Sequence, residues 1–115
     1  MESPISNTFD AIEAAITVCD ADFTILYMNE KAGNAFAAQG GLTLVGTNLG
    51  SCHKPESVEK LHGILNSGRP NVYTISKNGA KKLIWQGPWE KDGTISGLVE
   101  ISIPLPDFMP HYDRG

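Results

Sequence analysis

The side chains here best suited to chemistry are Cys19, Cys52, His53, His62 and His111. Cys52 and His53 are adjacent. A thiol becomes reactive in an electropositive, accessible setting, and neutral imidazole is the commonest protein metal ligand. Haem iron often takes a proximal histidine. His53 is therefore a candidate metal ligand, in particular a haem axial ligand, or else an exposed capping imidazole. His62 is a candidate pocket residue, or a partly buried helix residue with one hydrogen bond. His111 lies near the end of the chain and reads as solvated. Cys52 reads either as half of a metal or redox pair or as a small buried apolar residue. A zinc site needs about four ligands, and these five residues are widely scattered, with no CxxC or H-E-x-x-H pattern. A small Cys52/His53 enzyme is the remaining catalytic reading; no phosphate-binding loop, G-x-G-x-x-G or G-x-S-x-G accompanies it.

A second group is aromatic and polar. Phe36, Tyr73, Trp85 and Trp89 can line a cavity or fill a core. Gln86 stands among apolar residues in a β-prone stretch, where an amide either faces outward or makes a hydrogen bond inside. Phe36, Tyr73, Trp85 and Gln86 join His53 and His62 as candidate cofactor-binding residues.

The elements that must position these groups follow from periodicity and punctuation. A short helix can start near Pro4 and bury Phe9 and Ile12. Residues 15–19 and 23–28 are β-prone and are separated by the turn Asp20-Ala21-Asp22. Asn29 is a good helix cap, and the helix it opens is expected to run to Gly40-Gly41. Gly46, Gly50 and Pro55 break up the next region. From Pro55 a helix follows with Val58, Leu61, His62 and Leu65 on one face, stopped by Gly68 and Pro70. Three strands come last, over 71–77, 82–89 and 94–103, joined at Asn78-Gly79 and Lys91-Asp92-Gly93, with Pro104 and Pro106 expected to end regular structure. Tight turns force antiparallel pairing. The order predicts an α+β domain, a five-stranded antiparallel sheet with helices inserted between strands 2 and 3. Its expected divisions are a flexible lead-in over 1–8, the domain over 9–103 and a tail over 104–115.

Length and composition agree. The 115 residues, 41% hydrophobic and 19% charged, suit one globular core. A net charge of −4 argues against a nucleic-acid-binding face, which needs clustered basic residues. Glu2, Asp10 and Glu13 make residues 1–15 unlike a secretory leader, and no run approaches the roughly 20 apolar residues that span a bilayer. The expectation is a cytoplasmic protein with free thiols and no membrane contact.

Three stretches carry a resemblance to the PAS domain family, covering Phe9 to Ile103. Val18-Cys19-Asp20 followed by Ile25-Leu26-Tyr27-Met28-Asn29 is similar to its acidic turn and Y-x-N pattern. Leu44-Val45-Gly46-Thr47-Asn48-Leu49 resembles its L-x-G-x-N-L pattern, and Asp92-Gly93-Thr94-Ile95-Ser96-Gly97 its D-G-x-x-x-G turn. Cys52-His53-Lys54-Pro55 with Ser57-Val58 is similar to the C-H-P-P-x-S-V stretch of a subgroup in anaerobic bacteria, with Lys54 in place of the first proline. The resemblance implies a cupped sheet that encloses a pocket with its helices, in which some members bind haem, flavin or small organic ligands. Others bind nothing and work as dimerisation or partner surfaces. Haem-binding members place their axial histidine on the helix before the third strand; the corresponding position here falls near Ser57, away from both His53 and His62. The light-sensing cysteine motif of the family has no counterpart between Leu44 and Pro55. The expected function is a stand-alone sensory module that binds a small ligand or haem and signals through a homodimer or a partner protein. The alternative is a ligand-free interaction module.

Overall fold

The computed structural model describes residues 3–51 and 54–115. Pro4 occupies the first turn of helix α1 (Pro4–Ala11), and a capping box closes its start: the Ser6 N–H donates to the Ser3 hydroxyl and the Ser3 N–H to the Ser6 hydroxyl, each at 3.1 Å. Regular structure thus begins inside the stretch expected as a lead-in. Strands β1 (Ala15–Asp20) and β2 (Ile25–Met28) follow. They are linked by a turn in which Asp20 Oδ1 accepts from the N–H groups of Asp22 and Thr24, both at 2.9 Å. This is the short-range bonding that makes aspartate a turn former.

Asn29 caps helix α2 (Glu30–Ala35). The helix ends before the expected Gly40-Gly41 stop, because Phe36 already leaves helical geometry and the chain tightens into single 3₁₀ turns over Ala37–Gln39 and Gly41–Leu44. Helix α3 (Pro55–Ser67) stops on Gly68, whose φ of 72° is the left-handed cap geometry. Its inward stripe is Leu61 and Ile64, flanked by half-buried Val58 and Leu65. Ile64 takes the place expected for His62, which is exposed.

Strands β3 (Asn71–Lys77), β4 (Ala80–Lys91) and β5 (Thr94–Leu105) complete an antiparallel sheet of five strands in the order β2-β1-β5-β4-β3. Asn78-Gly79 and Asp92-Gly93 make their turns with positive φ at both residues, 53° and 78° in the first and 53° and 79° in the second. That geometry matches the twist of the flanking strands. The two long strands outrun their neighbours. Pairing of β3 with β4 reaches Gln86, so Pro88 lies beyond it; pairing of β1 with β5 reaches Ser102, so Pro104 lies beyond that. Strand β5 consequently continues through Pro104 to Leu105, past the end expected from the sequence, paired there with β4 alone, since β1 has already ended and a proline leaves no bond to it unmade.

Helices α2 and α3 and the 3₁₀ turns cover one face of the sheet. The core between the layers is built on Cys19, Ile25, Met28, Leu61, Ile64 and Leu98. Helix α1 lies on the other face, with the Phe9 ring 6.4 Å from that of Tyr27. Among the described residues, no helix is long and apolar enough to cross a membrane.

Candidate functional site

Antiparallel register lines up side chains that are far apart in sequence. Asn71 stands opposite Gln86, Gln86 opposite Glu100, and Glu100 opposite Thr17, so one row crosses β3, β4, β5 and β1 on the helix-covered face. Three of these side chains are bonded in series. Asn71 Nδ2 donates to Gln86 Oε1 at 3.0 Å, and Gln86 Nε2 donates to Glu100 Oε2 at 2.8 Å. The ionised carboxylate accepts only, which fixes the direction of the chain: donors point from β3 towards β5. A longer contact of 3.5 Å joins Gln86 Nε2 to the Tyr73 hydroxyl. Gln86 is 7% exposed. It is a buried amide with both ends satisfied, which is the interior alternative posed by the sequence.

The row lies on the floor of a hollow. Its enclosed part is walled by Phe36, Leu49, Leu61 and Leu98 and has a volume of only about 20 Å³, enough for a single water. Open clefts of about 540 and 490 Å³ adjoin it. Ala35, Phe36 and Lys82 border the first, and Ser57, Lys60 and Tyr73 the second. Glu100 lines all three spaces. Burial raises the Tyr73 hydroxyl pKa, and the Glu100 charge adds to the effect. Burial likewise pushes the Cys19 thiol up to about 11 from 9.0, with smaller upward contributions from Asp20 and Glu100 and a downward one from a backbone hydrogen bond at Leu98.

Cys19 is therefore a neutral, inert thiol rather than a reactive one. In a Cys52→Ser background, iodoacetamide at pH 8 should modify Cys19 at least tenfold more slowly than it modifies the same thiol in urea, as read by intact mass. The stability contributed by the neutral thiol is complete below pH 9.0 and is lost as pH rises towards 11.

The expected site residues divide. Phe36, Tyr73 and Gln86 meet at the hollow. Trp85 lies on the opposite sheet face, because strand alternation turns it outward when Gln86 turns in; there it stands between Val72 and Ile101 in register and its ring lies over Gly87. Trp89 donates from Nε1 to the Cys19 carbonyl at 2.9 Å. His62 is exposed on α3 with its ring edge-on to Phe23, centroids 4.6 Å apart, and borders none of these spaces. Cys52 and His53 lie outside the described residues, and with them the axial-ligand and Cys/His readings. Among the described residues no imidazole faces the hollow and no group of His, Cys, Asp or Glu is placed to hold a metal. Asn71 and Glu100, the partners of Gln86, were not foreseen from sequence; the one signal for Glu100 is a charge in the middle of the apolar run Leu98–Ile103.

A cupped antiparallel sheet of this order, with its helices inserted between β2 and β3, is the PAS fold. Solved structures bear this out. The PAS domain of histidine kinase ThkA superposes with a TM-score of 0.65 at 20% identity, over 80% of this chain and 99% of that one. A C-terminal domain from Streptococcus mutans gives 0.70 at 18% identity, over 87% and 81%. VqmA of Vibrio cholera, solved as a ligand–DNA complex, gives 0.70 at 16% identity, over 93% of this chain and 53% of VqmA, so the likeness spans about half of that protein. No sequence family and no curated protein matches the chain.

Proposed function

We propose that this chain is a sensory and signalling module that takes a small organic molecule into the hollow between the sheet and helices α2 and α3. The observation that carries this reading is the bonded row Asn71–Gln86–Glu100, a polar track that starts at Asn71 in the open cleft and runs through Gln86 and Glu100 onto the floor of the apolar enclosed space. Ligand pockets combine an apolar lining with a few placed polar groups. That a protein of the same fold, VqmA, is described in complex with a ligand supports the reading by analogy of fold. The signal would leave through contacts with a second copy or a partner protein. Native mass spectrometry of the purified protein, with a thermal-shift screen of small metabolites, tests it. A bound small molecule, or a shift lost in Gln86→Leu, is the expected result. Wild-type protein that carries no adduct and responds to no compound would end the reading.

One observation favours a ligand-free interaction module as the second reading. The enclosed space is only about 20 Å³, while the sheet face away from α2 and α3 shows apolar side chains to solvent, with Val72 53% and Ile103 38% exposed. On that reading sedimentation detects a dimer that Val72→Asp abolishes, and no cofactor changes the melting temperature.

A further inference from the structure

We infer that the hollow selects a small ligand with an apolar or aromatic body and a protonated amine or other cationic N–H head, seated on the carboxylate of Glu100. The inference rests on the hollow being a ligand site and adds which chemistry it accepts. Glu100 is the side chain common to the enclosed space and both clefts, so a molecule entering from either side reaches it. Among the described residues Glu100 is engaged through Oε2 alone, by Gln86 Nε2, which leaves Oε1 with acceptor capacity towards them unspent. No lysine or arginine among the described residues pairs with this carboxylate: Lys31, Lys77 and Lys82 border the first cleft and Lys60 the second, Lys31 reaches Glu13 at 4.0 Å, and none makes an ion pair to Glu100.

A carboxylate beside apolar walls keeps an attraction for cations that water would otherwise screen. The neighbouring amides strengthen the preference for such a head. Gln86 is locked by Asn71 on one side and Glu100 on the other, so its N–H groups are committed within the row and are not offered to an incoming anion. Phe36 in the wall and Tyr73 at the mouth supply ring faces and edges for a flat body. Charge-assisted hydrogen bonds from N⁺–H to carboxylate are about twice as strong as neutral ones, which gives discrimination by head group on a shared body.

Benzylamine, benzyl alcohol and benzoate share one ring and differ in the head group. Each is titrated into the ¹⁵N-labelled full chain at pH 7, following the amides of Gln86, Glu100 and Tyr73. Benzylamine should bind at least tenfold more tightly than benzyl alcohol and benzoate. Glu100→Gln should weaken benzylamine about tenfold and leave benzyl alcohol unchanged. Equal affinity for benzylamine and benzyl alcohol, or preference for benzoate, overturns the head-group inference while the hollow stands as a ligand site. No response to any of the three removes the hollow as a site, and this inference with it. The wild-type comparison stands by itself if Glu100→Gln disturbs the fold.

Discussion

Asn29→Ala should destabilise the domain by about 3 kcal/mol or more in urea unfolding. The side chain is 0% exposed and makes four hydrogen bonds to backbone. Oδ1 accepts from the N–H groups of Ile16 at 2.9 Å and Ala32 at 3.0 Å, and Nδ2 donates to the carbonyls of Phe9 at 2.7 Å and Ala14 at 2.8 Å. One amide therefore joins the end of α1, the start of β1 and the first turn of α2. Truncation leaves these backbone groups facing a small void, and each buried group without a partner costs about 1–3 kcal/mol. Asn29→Asp separates this role from simple packing. It keeps the shape and both accepted bonds, but aims its second oxygen at two carbonyls. Only the protonated acid can donate there, so the folded state raises the aspartate pKa. Stability relative to wild type is then greatest at pH values below about 4 and falls as pH rises through neutrality. A pH-independent difference would show that volume alone matters.

Gly97→Ala should be comparably severe, about 3 kcal/mol or more. A methyl group at residue 97 would overlap the Cys19 carbonyl oxygen and come within 2.6 Å of Trp89 Nε1 and 2.8 Å of Asp20 Cα. Two of these atoms are backbone of the paired strand and cannot yield without parting β1 from β5, whose register here sets Gly97 against Asp20. The indole is held as well, by its bond to the same carbonyl. Trp89→Phe on its own should cost less, near the 1 kcal/mol typical of one hydrogen bond plus some packing. If the double variant Gly97→Ala/Trp89→Phe recovered most of the loss, the indole and not the backbone would be the obstacle.

These two sites also show what was legible in the sequence. Asn29, Gly46, Asn48 and Gly97 belong to the patterns that carried the resemblance, and each has a local structural reason. Gly46 has a φ of 93° and donates to the Ile25 carbonyl at 2.7 Å, while Asn48 Nδ2 holds the Asp22 carbonyl at 3.0 Å. Leu44 and Leu49 are buried beside them. Asn and Gly are the residue types that caps, turns and close backbone approaches select, so their places can be read from a chain met for the first time even where, as at Asn48 with Asp22 or Gly97 with Cys19, the partner is distant in sequence. The hydrogen-bonded row depends on register. Asn71 opposite Gln86 follows from counting outward from Asn78-Gly79. Counting outward from Asp92-Gly93 sets Gln86 against Val99; an irregularity between Trp89 and Glu90 moves the pairing by one residue and brings Glu100 there instead. Nothing in the residues around Trp89 announces that bulge, and a one-residue shift exchanges the two faces of a strand. The orientation of α3 was missed for a related reason, since helical spacing admits either His62 or Ile64 beside Leu61 and the apolar side chain wins the buried place.

Pro88 and Pro104 sit where β4 and β5 project past their neighbours. Such bare lengths of strand are templates on which another extended chain can grow. A ring in place of an N–H interrupts the template at both ends of the long hairpin. Lateral recruitment is thereby discouraged at these two overhangs, and open-ended stacking of copies into fibres has no continuous rail to follow there. Replacing either proline would restore a missing donor to the rail.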